Sequence, residues 1–215
     1  MTAYAPLKEY LEKRDFSRTP EPRGSHDWEP NEGPVFVIHE HEASTHHFDF
    51  RLQAGDVLKC WAVPKGPSTD PSEKRLAIPT EDHPLEYAEF EGVIPEDEYG
   101  GGTVLVWDAG PYRSLKTDDE DNVIPLKPQI DAGHLTVWLQ GEKLTGGYAL
   151  TRTSGGDDER WILVKMDDEE ADARRNPVST EPESVLSGRT LREVAEAAED
   201  GDASGEGAEQ EEETS

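Results

Sequence analysis

The sequence predicts a mainly β fold, an antiparallel β-barrel or its open relative the sandwich, with short terminal helices. Three observations predict it. Seven short runs rich in β-branched, aromatic and aliphatic residues recur between residues 35 and 166, at strand length and often with strand alternation. Gly, Pro and Asp clusters separate them, such as Ala54-Gly55-Asp56, Gly100-Gly101-Gly102 and Gly155-Gly156-Asp157-Asp158. No helical pattern alternates with the runs, which argues against a parallel doubly wound sheet.

Taken in order, residues 5 to 14 read as a short helix, with Leu7, Tyr10 and Leu11 at spacings of three and four. Glu21 to Pro34 is a polar connecting arm containing several Pro and Gly. The strands are expected at Val35 to His41, His47 to Leu52, Val57 to Val63, Thr103 to Trp107, His134 to Leu139, Tyr148 to Thr153 and Trp161 to Met166. The Gly100–Gly102 run has no helix after it, so it reads as a hairpin turn and not a phosphate loop. Trp61 and Trp107 fall in strand patterns and read as core. Thr190-Leu-Arg-Glu193 matches a capping box opening a short helix that should fray near Asp200. The last stretch, GDASGEGAEQEEETS, carries no aromatic or large aliphatic residue and cannot offset its ordering entropy, so disorder is expected. The implied organisation is an N-terminal helix and arm over 1–34, a barrel over 35–192 and an acidic tail over 193–215.

The chain has 215 residues, enough for one packed domain, but only 33% are hydrophobic. Forty-eight acidic against 21 basic residues give a formal charge of −27, which excludes whole-surface affinity for nucleic acid or anionic lipid. Any such binding must use local positive charge. The 23 residues from Glu193 onward carry ten of the acids and no base, so most of the acidity belongs to the body. Spread through every loop, it reads as adaptation to a high-salt cytoplasm, against the alternative of an ordinary acidic surface. A single cysteine, Cys60, excludes an intrachain disulfide and a Cys-based zinc site. The N-terminus is charged where a signal peptide needs an apolar run, and nothing approaches the roughly 18 apolar residues of a membrane span. A cytoplasmic protein with no membrane partner is expected.

The chemistry concentrates at His41 and in His47-Phe-Asp-Phe-Arg-Leu52. Side chains alternate along a strand, so Phe48, Phe50 and Leu52 face one way, and His47, Asp49 and Arg51 the other. Two imidazoles and a carboxylate suit a borderline divalent metal such as manganese, zinc or iron with positions left open. Arg51 cannot ligate a cation; it either orients Asp49 or grips an anionic substrate. The same pattern also reads as a half-exposed strand with a surface His and an Asp–Arg pair. Lys65 and Arg75 are ordinary solvated cations taken singly, but beside a metal they would clamp a phosphate. His83 precedes a proline and so prefers an extended backbone; with Tyr87 it offers a proton donor and a hydroxyl, or packs at a rim.

These blocks carry a resemblance. Phe36-Val-Ile-His-Glu-His41, His47 to Leu52, Leu58-Lys-Cys-Trp-Ala-Val-Pro-Lys-Gly-Pro67, Lys74-Arg-Leu-Ala77, Glu81-Asp-His-Pro-Leu-Glu-Tyr-Ala88, Glu98-Tyr-Gly100 and Trp161-Ile-Leu-Val-Lys165 together resemble the 3′-phosphoesterase module of bacterial DNA ligase D, over about residues 11 to 192. The resemblance implies a manganese-dependent β-barrel, with zinc or cobalt as other metals. Its activity would be 3′-end healing in non-homologous end joining: removal of a terminal ribonucleoside from a primer strand, then of the remaining 3′-phosphate. It implies His41, His47 and Asp49 as metal ligands, and Arg51, Lys65 and Arg75 on the scissile phosphate. His83 and Tyr87 would complete the site, and Arg14, Asp15 and Glu21 would assist substrate engagement. Arg14 and Asp15 alone would read as helix-end charges. The implied partners are primer–template 3′ ends, DNA or RNA-tipped, and a separately encoded ligase or polymerase; a monomer is expected. Three residues depart from the pattern. His39 stands where a non-ligating polar residue such as Gln is expected and could compete for metal. His46 makes a tandem with His47, leaving the ligand to strand register. Cys60 replaces a Ser on the core side.

Two other functions fit parts of the sequence. His47-x-Asp49 with a distal histidine such as His134 could form the facial triad of a non-haem iron oxygenase on a jelly roll. A catalytically silent module recruiting other repair proteins to a break is the second.

Overall fold

The computed structural model describes residues 5–24 and 33–205. Part of the expected connecting arm, residues 25–32, and the tail beyond 205 lie outside the described residues. Nine strands make one antiparallel sheet: β1 Val35–Glu42, β2 His46–Ala54, β3 Val57–Val63, β4 Arg75–His83, β5 Gly92–Ile94, β6 Gly102–Ser114, β7 His134–Gln140, β8 Thr145–Ser154 and β9 Arg160–Lys165. Their order is β1-β2-β3-β4-β9-β8-β7-β6, and β6 returns to pair with β1, closing an eight-stranded barrel. Closure removes the free edges that an open sheet would expose.

Two strands turn the corners. The first two residues of β4 and Ala77 pair with β9 and its remainder with β3, while β6 gives residues 103–111 to β1 and 112–114 to β7. The short β5 lies outside the ring, paired with Gly102, Thr103 and Val104 of β6. The loop between β5 and β6 contains Gly100, so the glycine run closes a hairpin, as its sequence implies. At Gly102 the backbone adopts φ +142°, a conformation that L side chains rarely take.

Alternation divides the buried residues into two cores. Phe36 and Ile38, Phe48, Phe50 and Leu52, Trp61 and Trp107 pack with residues of β7, β8 and β9 inside the barrel. The alternate residues, including Val37, Leu58, Cys60, Val104 and Val106, form a second core on the outer wall with Tyr10, Tyr87 and Phe90. That outer core is roofed by the N-terminal segment, a 3-10 turn at Ala5–Leu7 leading into α1, Lys8–Glu12, and by a second 3-10 turn at Leu85–Glu89. His39, His41, His47 and His83 lie on this outer face. The barrel lumen is apolar filling.

The terminal helices depart from their expected lengths. The first helix ends at Glu12, because Arg14 folds back to bond the Tyr10 carbonyl and Asp15 holds a turn through the Ser17 backbone N–H. Further along, α2 (Leu126–Asp131) and α3 (Pro177–Thr180) are short connectors, and α4 spans Leu191–Gly205. The capping box at its start forms reciprocally: the Thr190 N–H donates to Glu193 Oε2 at 2.8 Å and the Glu193 N–H to Thr190 Oγ1 at 3.4 Å. With that cap, and with Val194 buried in the barrel core, α4 runs five residues past Asp200. Among the described residues, no helix is long and apolar enough to cross a membrane.

Candidate metal and phosphate site

The site begins with one hairpin. In the β1–β2 register His41 lies opposite His47 and His39 opposite Asp49, and directly opposite residues of an antiparallel pair project to the same side. One ligand atom each from His41, His47 and Asp49 lies within 4.8 Å of the other two, and they are the only such group among the described residues. Their tethers decide which nitrogens face inward. His41 Nε2 lies 3.0 Å from the Gly100 carbonyl, and His47 Nδ1 2.7 Å from the Thr45 carbonyl. A carbonyl only accepts, so each of these nitrogens carries the proton, leaving the His41 Nδ1 and His47 Nε2 lone pairs directed at Asp49. His41 Nδ1 and His47 Nε2 stand 3.9 Å and 3.5 Å from the two Asp49 oxygens. Burial depresses His41 to a pKa of about 4, so its lone pair is available at neutral pH. Two imidazoles with anchored far nitrogens and a carboxylate are a donor set that fits a divalent cation.

Register also resolves the other two histidines. His46, opposite Glu42, bonds Glu40 Oε1 at 2.7 Å and packs edge-on against Phe48, away from the triangle. His39 is fully buried, and its Nδ1 accepts the Arg51 Nε–H at 3.1 Å, so it does not join the ligand set. Burial holds its pKa well below the ordinary histidine value, with the Arg51 charge adding to the effect.

Arg51 is enclosed. Its side chain is 3% exposed and donates to Asp49 Oδ2 at 2.8 Å, to His39 Nδ1 and to Cys60 Sγ at 3.1 Å, with the guanidinium 4.6 Å from the Tyr87 ring centre. It therefore fixes the ligand carboxylate from behind. Cys60, expected on the core side, lies opposite Arg51 in the β2–β3 register and is buried in the outer of the two cores. Burial pushes its thiol up to about 12, so it is a neutral acceptor here.

His83 reaches this face through a bulge. Cys60 pairs with Thr80 but Leu58 with His83, so β4 carries one extra residue between them, and a bulge of this kind re-aims side chains. His83 Nδ1 donates to the Glu81 carbonyl at 3.0 Å, leaving Nε2 as the acceptor toward Arg14 Nη2 at 3.4 Å. Burial, then the charges of Arg51 and Arg14, hold it well below the ordinary histidine pKa. Tyr87 packs edge-on against His83 and donates its hydroxyl to Glu21 Oε1 at 3.0 Å.

The arm completes the network. Arg14 donates to Glu21 Oε1 at 2.9 Å and Glu81 Oε1 at 3.0 Å, and stacks 3.9 Å from the Tyr10 ring centre. Glu21 is buried and also accepts from Thr19 Oγ1. Asp15 is exposed and engaged with Ser17, outside this cluster. Lys65 is exposed in the turn that follows β3, which the Gly66 N–H closes on the Val63 carbonyl at 3.0 Å. Arg75, at the start of β4, bonds Glu73 at 2.6 Å. His134 opens β7 and bonds Thr151 Oγ1 at 2.9 Å; it is not brought to His47 and Asp49, so the facial-triad arrangement does not form.

Three contributors were not singled out from the sequence. Glu81 receives both Arg14 and Lys13, Tyr10 seals the arm by donating to the Pro22 carbonyl, and the Gly100 carbonyl tethers His41. Only Glu81 had a visible signal, its place two residues before His83, and its burial depends on the bulge.

Comparison with known proteins identifies the family. The family described as the DNA ligase D 3′-phosphoesterase domain matches residues 39–152. The multifunctional non-homologous end joining protein LigD of Pseudomonas aeruginosa is 46% identical over 195 residues, covering 89% of this chain and 22% of the relative. The multifunctional non-homologous end joining DNA repair protein LigD of Mycobacterium tuberculosis is 44% identical over 160 residues, covering 74% and 20%. The corresponding protein of Mycolicibacterium smegmatis is 40% identical over 166 residues, covering 76% and 21%. The chain spans about a fifth of the length of these relatives.

Proposed function

Because this chain belongs to the DNA ligase D 3′-phosphoesterase family, we propose that it is a metal-dependent enzyme that heals 3′ ends at DNA breaks. Its substrates would be primer–template 3′ ends bearing a terminal ribonucleoside or a 3′-phosphate, and its product a 3′-hydroxyl for end joining. The observation that carries the reading is the convergence of the His41 Nδ1, His47 Nε2 and Asp49 lone pairs, with both far nitrogens tied to carbonyls.

A divalent cation held by these three residues, with manganese the proposed metal and zinc or cobalt as substitutes, would supply Lewis-acid polarisation of a non-bridging phosphate oxygen. Arg51 serves the site by holding Asp49 in its ligating orientation, the role its enclosure favours over direct substrate contact. Lys65, an exposed cation in the turn after β3, is proposed to meet the incoming phosphate, with Arg75 proposed as its companion. There they would stabilise the charge that develops in the transition state. His83, neutral with Nε2 unprotonated, acts as a hydrogen-bond acceptor from Arg14, not as a charged acid. Glu21, Arg14 and Tyr87 lock the arm over the outer core, and Asp15 holds the turn that starts the arm's return. The enzyme would act in the cytoplasm as a monomer, alongside a separately encoded ligase or polymerase.

The test is a labelled primer–template with a 3′-terminal ribonucleotide or a 3′-phosphate, incubated with the full chain and manganese. Shortening of the first and dephosphorylation of the second are expected, with both lost in His47→Ala and Asp49→Ala. Unchanged substrates, or variants with full activity, would overturn the assignment.

A further inference from the structure

The rim of the site carries an exposed aromatic ring, over which Lys13 Nζ sits 4.5 Å from the ring centre. Tyr99 is 46% exposed, and among the described residues it is the only aromatic side chain in the set of exposed large hydrophobics. It immediately precedes Gly100, whose carbonyl holds His41. Consecutive Cα atoms are about 3.8 Å apart, so the ring is anchored one residue from the tether of a metal ligand. Successive nucleotides of a strand rise only about 3.4 Å, so the anchor point of the ring is about one nucleotide spacing from the tether residue.

The ring is held rigidly. Its hydroxyl donates to Glu81 Oε2 at 3.3 Å and accepts from Lys13 Nζ at 3.1 Å, and Lys13 also bonds Glu81 at 3.2 Å. Its loop is pinned to the arm, where Arg18 pairs with Asp97 and Glu98. A fixed, half-exposed aromatic gives up little conformational entropy when it packs against a flat partner. The acidic surface makes such a contact useful. Phosphate contacts weaken steeply with salt and are few on a chain of charge −27, whereas base stacking tolerates any sequence because every base presents a π-face.

Building on the 3′-end-healing reading, we propose that Tyr99 is the base-stacking platform for the strand being processed, packing against a nucleobase at or next to its 3′ end.

The test compares wild type, Tyr99→Leu and Tyr99→Phe on a 3′-phosphate primer with natural bases and on one whose terminal and penultimate nucleotides are abasic. With natural bases Tyr99→Leu should raise KM roughly tenfold, with a much smaller change in kcat, and Tyr99→Phe, which keeps the ring, should recover most of that loss. On the abasic primer the Tyr99→Leu penalty should vanish. A wild-type KM for Tyr99→Leu on natural bases overturns the proposal. So does a penalty that persists on the abasic primer, because that is the signature of a structural role through Glu81. If wild type processes neither primer, the enzymatic reading fails, and the platform is judged by binding alone: wild type should quench 2-aminopurine placed at the primer terminus and Tyr99→Leu should not. Equal quenching by the two overturns it.

Discussion

Replacing Arg51 by methionine should destabilise the metal-free protein severely, and the structure gives the reason. The guanidinium and the Asp49 carboxylate are both buried and meet at 2.8 Å. Removing one partner of a buried pair leaves the other charge uncompensated, at about 3–5 kcal/mol. Two further acceptors, His39 Nδ1 and Cys60 Sγ, lose their donor at the same time. Against a typical domain stability of about 5–15 kcal/mol, the variant should unfold at a much lower urea midpoint without metal. The stranded carboxylate carries most of that cost, so Arg51→Met/Asp49→Asn should be distinctly more stable than Arg51→Met alone. Urea unfolding of wild type, both single variants and the double variant measures the coupling directly. If Arg51→Met lies within about 0.5 kcal/mol of wild type, or if the double variant merely adds the single losses, Arg51 does not hold Asp49 and its assignment as an orienting residue is wrong.

Three other outcomes are expected. Lys65→Ala should leave the unfolding midpoint within about 0.5 kcal/mol, because the side chain is exposed. It should nevertheless cut turnover of 3′-phosphate ends by about tenfold or more, and unchanged kinetics would remove Lys65 from the site. Gly102→Ala forces a Cβ into contact with the Glu42 carbonyl at φ +142°, so it should lower thermal stability and also metal affinity, since the displaced loop carries the Gly100 tether. Acid should destabilise the metal-free protein. Folding keeps His39, His41 and His83 neutral below their ordinary pKa, so the unfolded chain binds the extra protons, and stability falls as pH drops through about 6.5. Each histidine removes about 1 kcal/mol between pH 6.5 and 5.5, and the raised carboxyls of Glu40, Asp82 and Asp108 offset part of this. A net loss of about 1–3 kcal/mol in urea titrations is expected, and a gain on acidification would refute the neutral assignments.

Strand patterning made the barrel legible wherever the apolar face was continuous. β3 begins and ends at the expected residues, and β1, β2, β7 and β9 differ by one or two residues at their ends. β4 was not anticipated because its sequence runs against the rule. Leu76 and Ile78 face solvent, Ala77 enters the barrel, and the bulge turns Glu81 and His83 onto the roofed face. β5 has three residues, too few for alternation to register, and the second half of β6 contains Gly110 and Pro111, which read as a break. The candidate ligand triangle was legible because its residues, 41, 47 and 49, fall within one short span on two strands with clear alternation. The competition among His39, His41, His46 and His47 was not, because register is a property of the pair of strands. Enclosure of Arg51 and the path of the arm depend on packing between residues as far apart as Glu21 and Tyr87, which no local pattern encodes.

The three candidate ligand residues all come from one hairpin, between positions 41 and 49, whereas the roof arrives from both sides of it in the chain. Hairpins assemble within microseconds, while docking of the arm must wait for β4 and the 85–89 turn that it packs against. The site thus has two parts of different range, a hairpin that presents the candidate ligands and a roof assembled from distant segments. Changes in the hairpin and changes in the roof therefore have separate addresses in the sequence, joined through the Gly100 carbonyl that tethers His41.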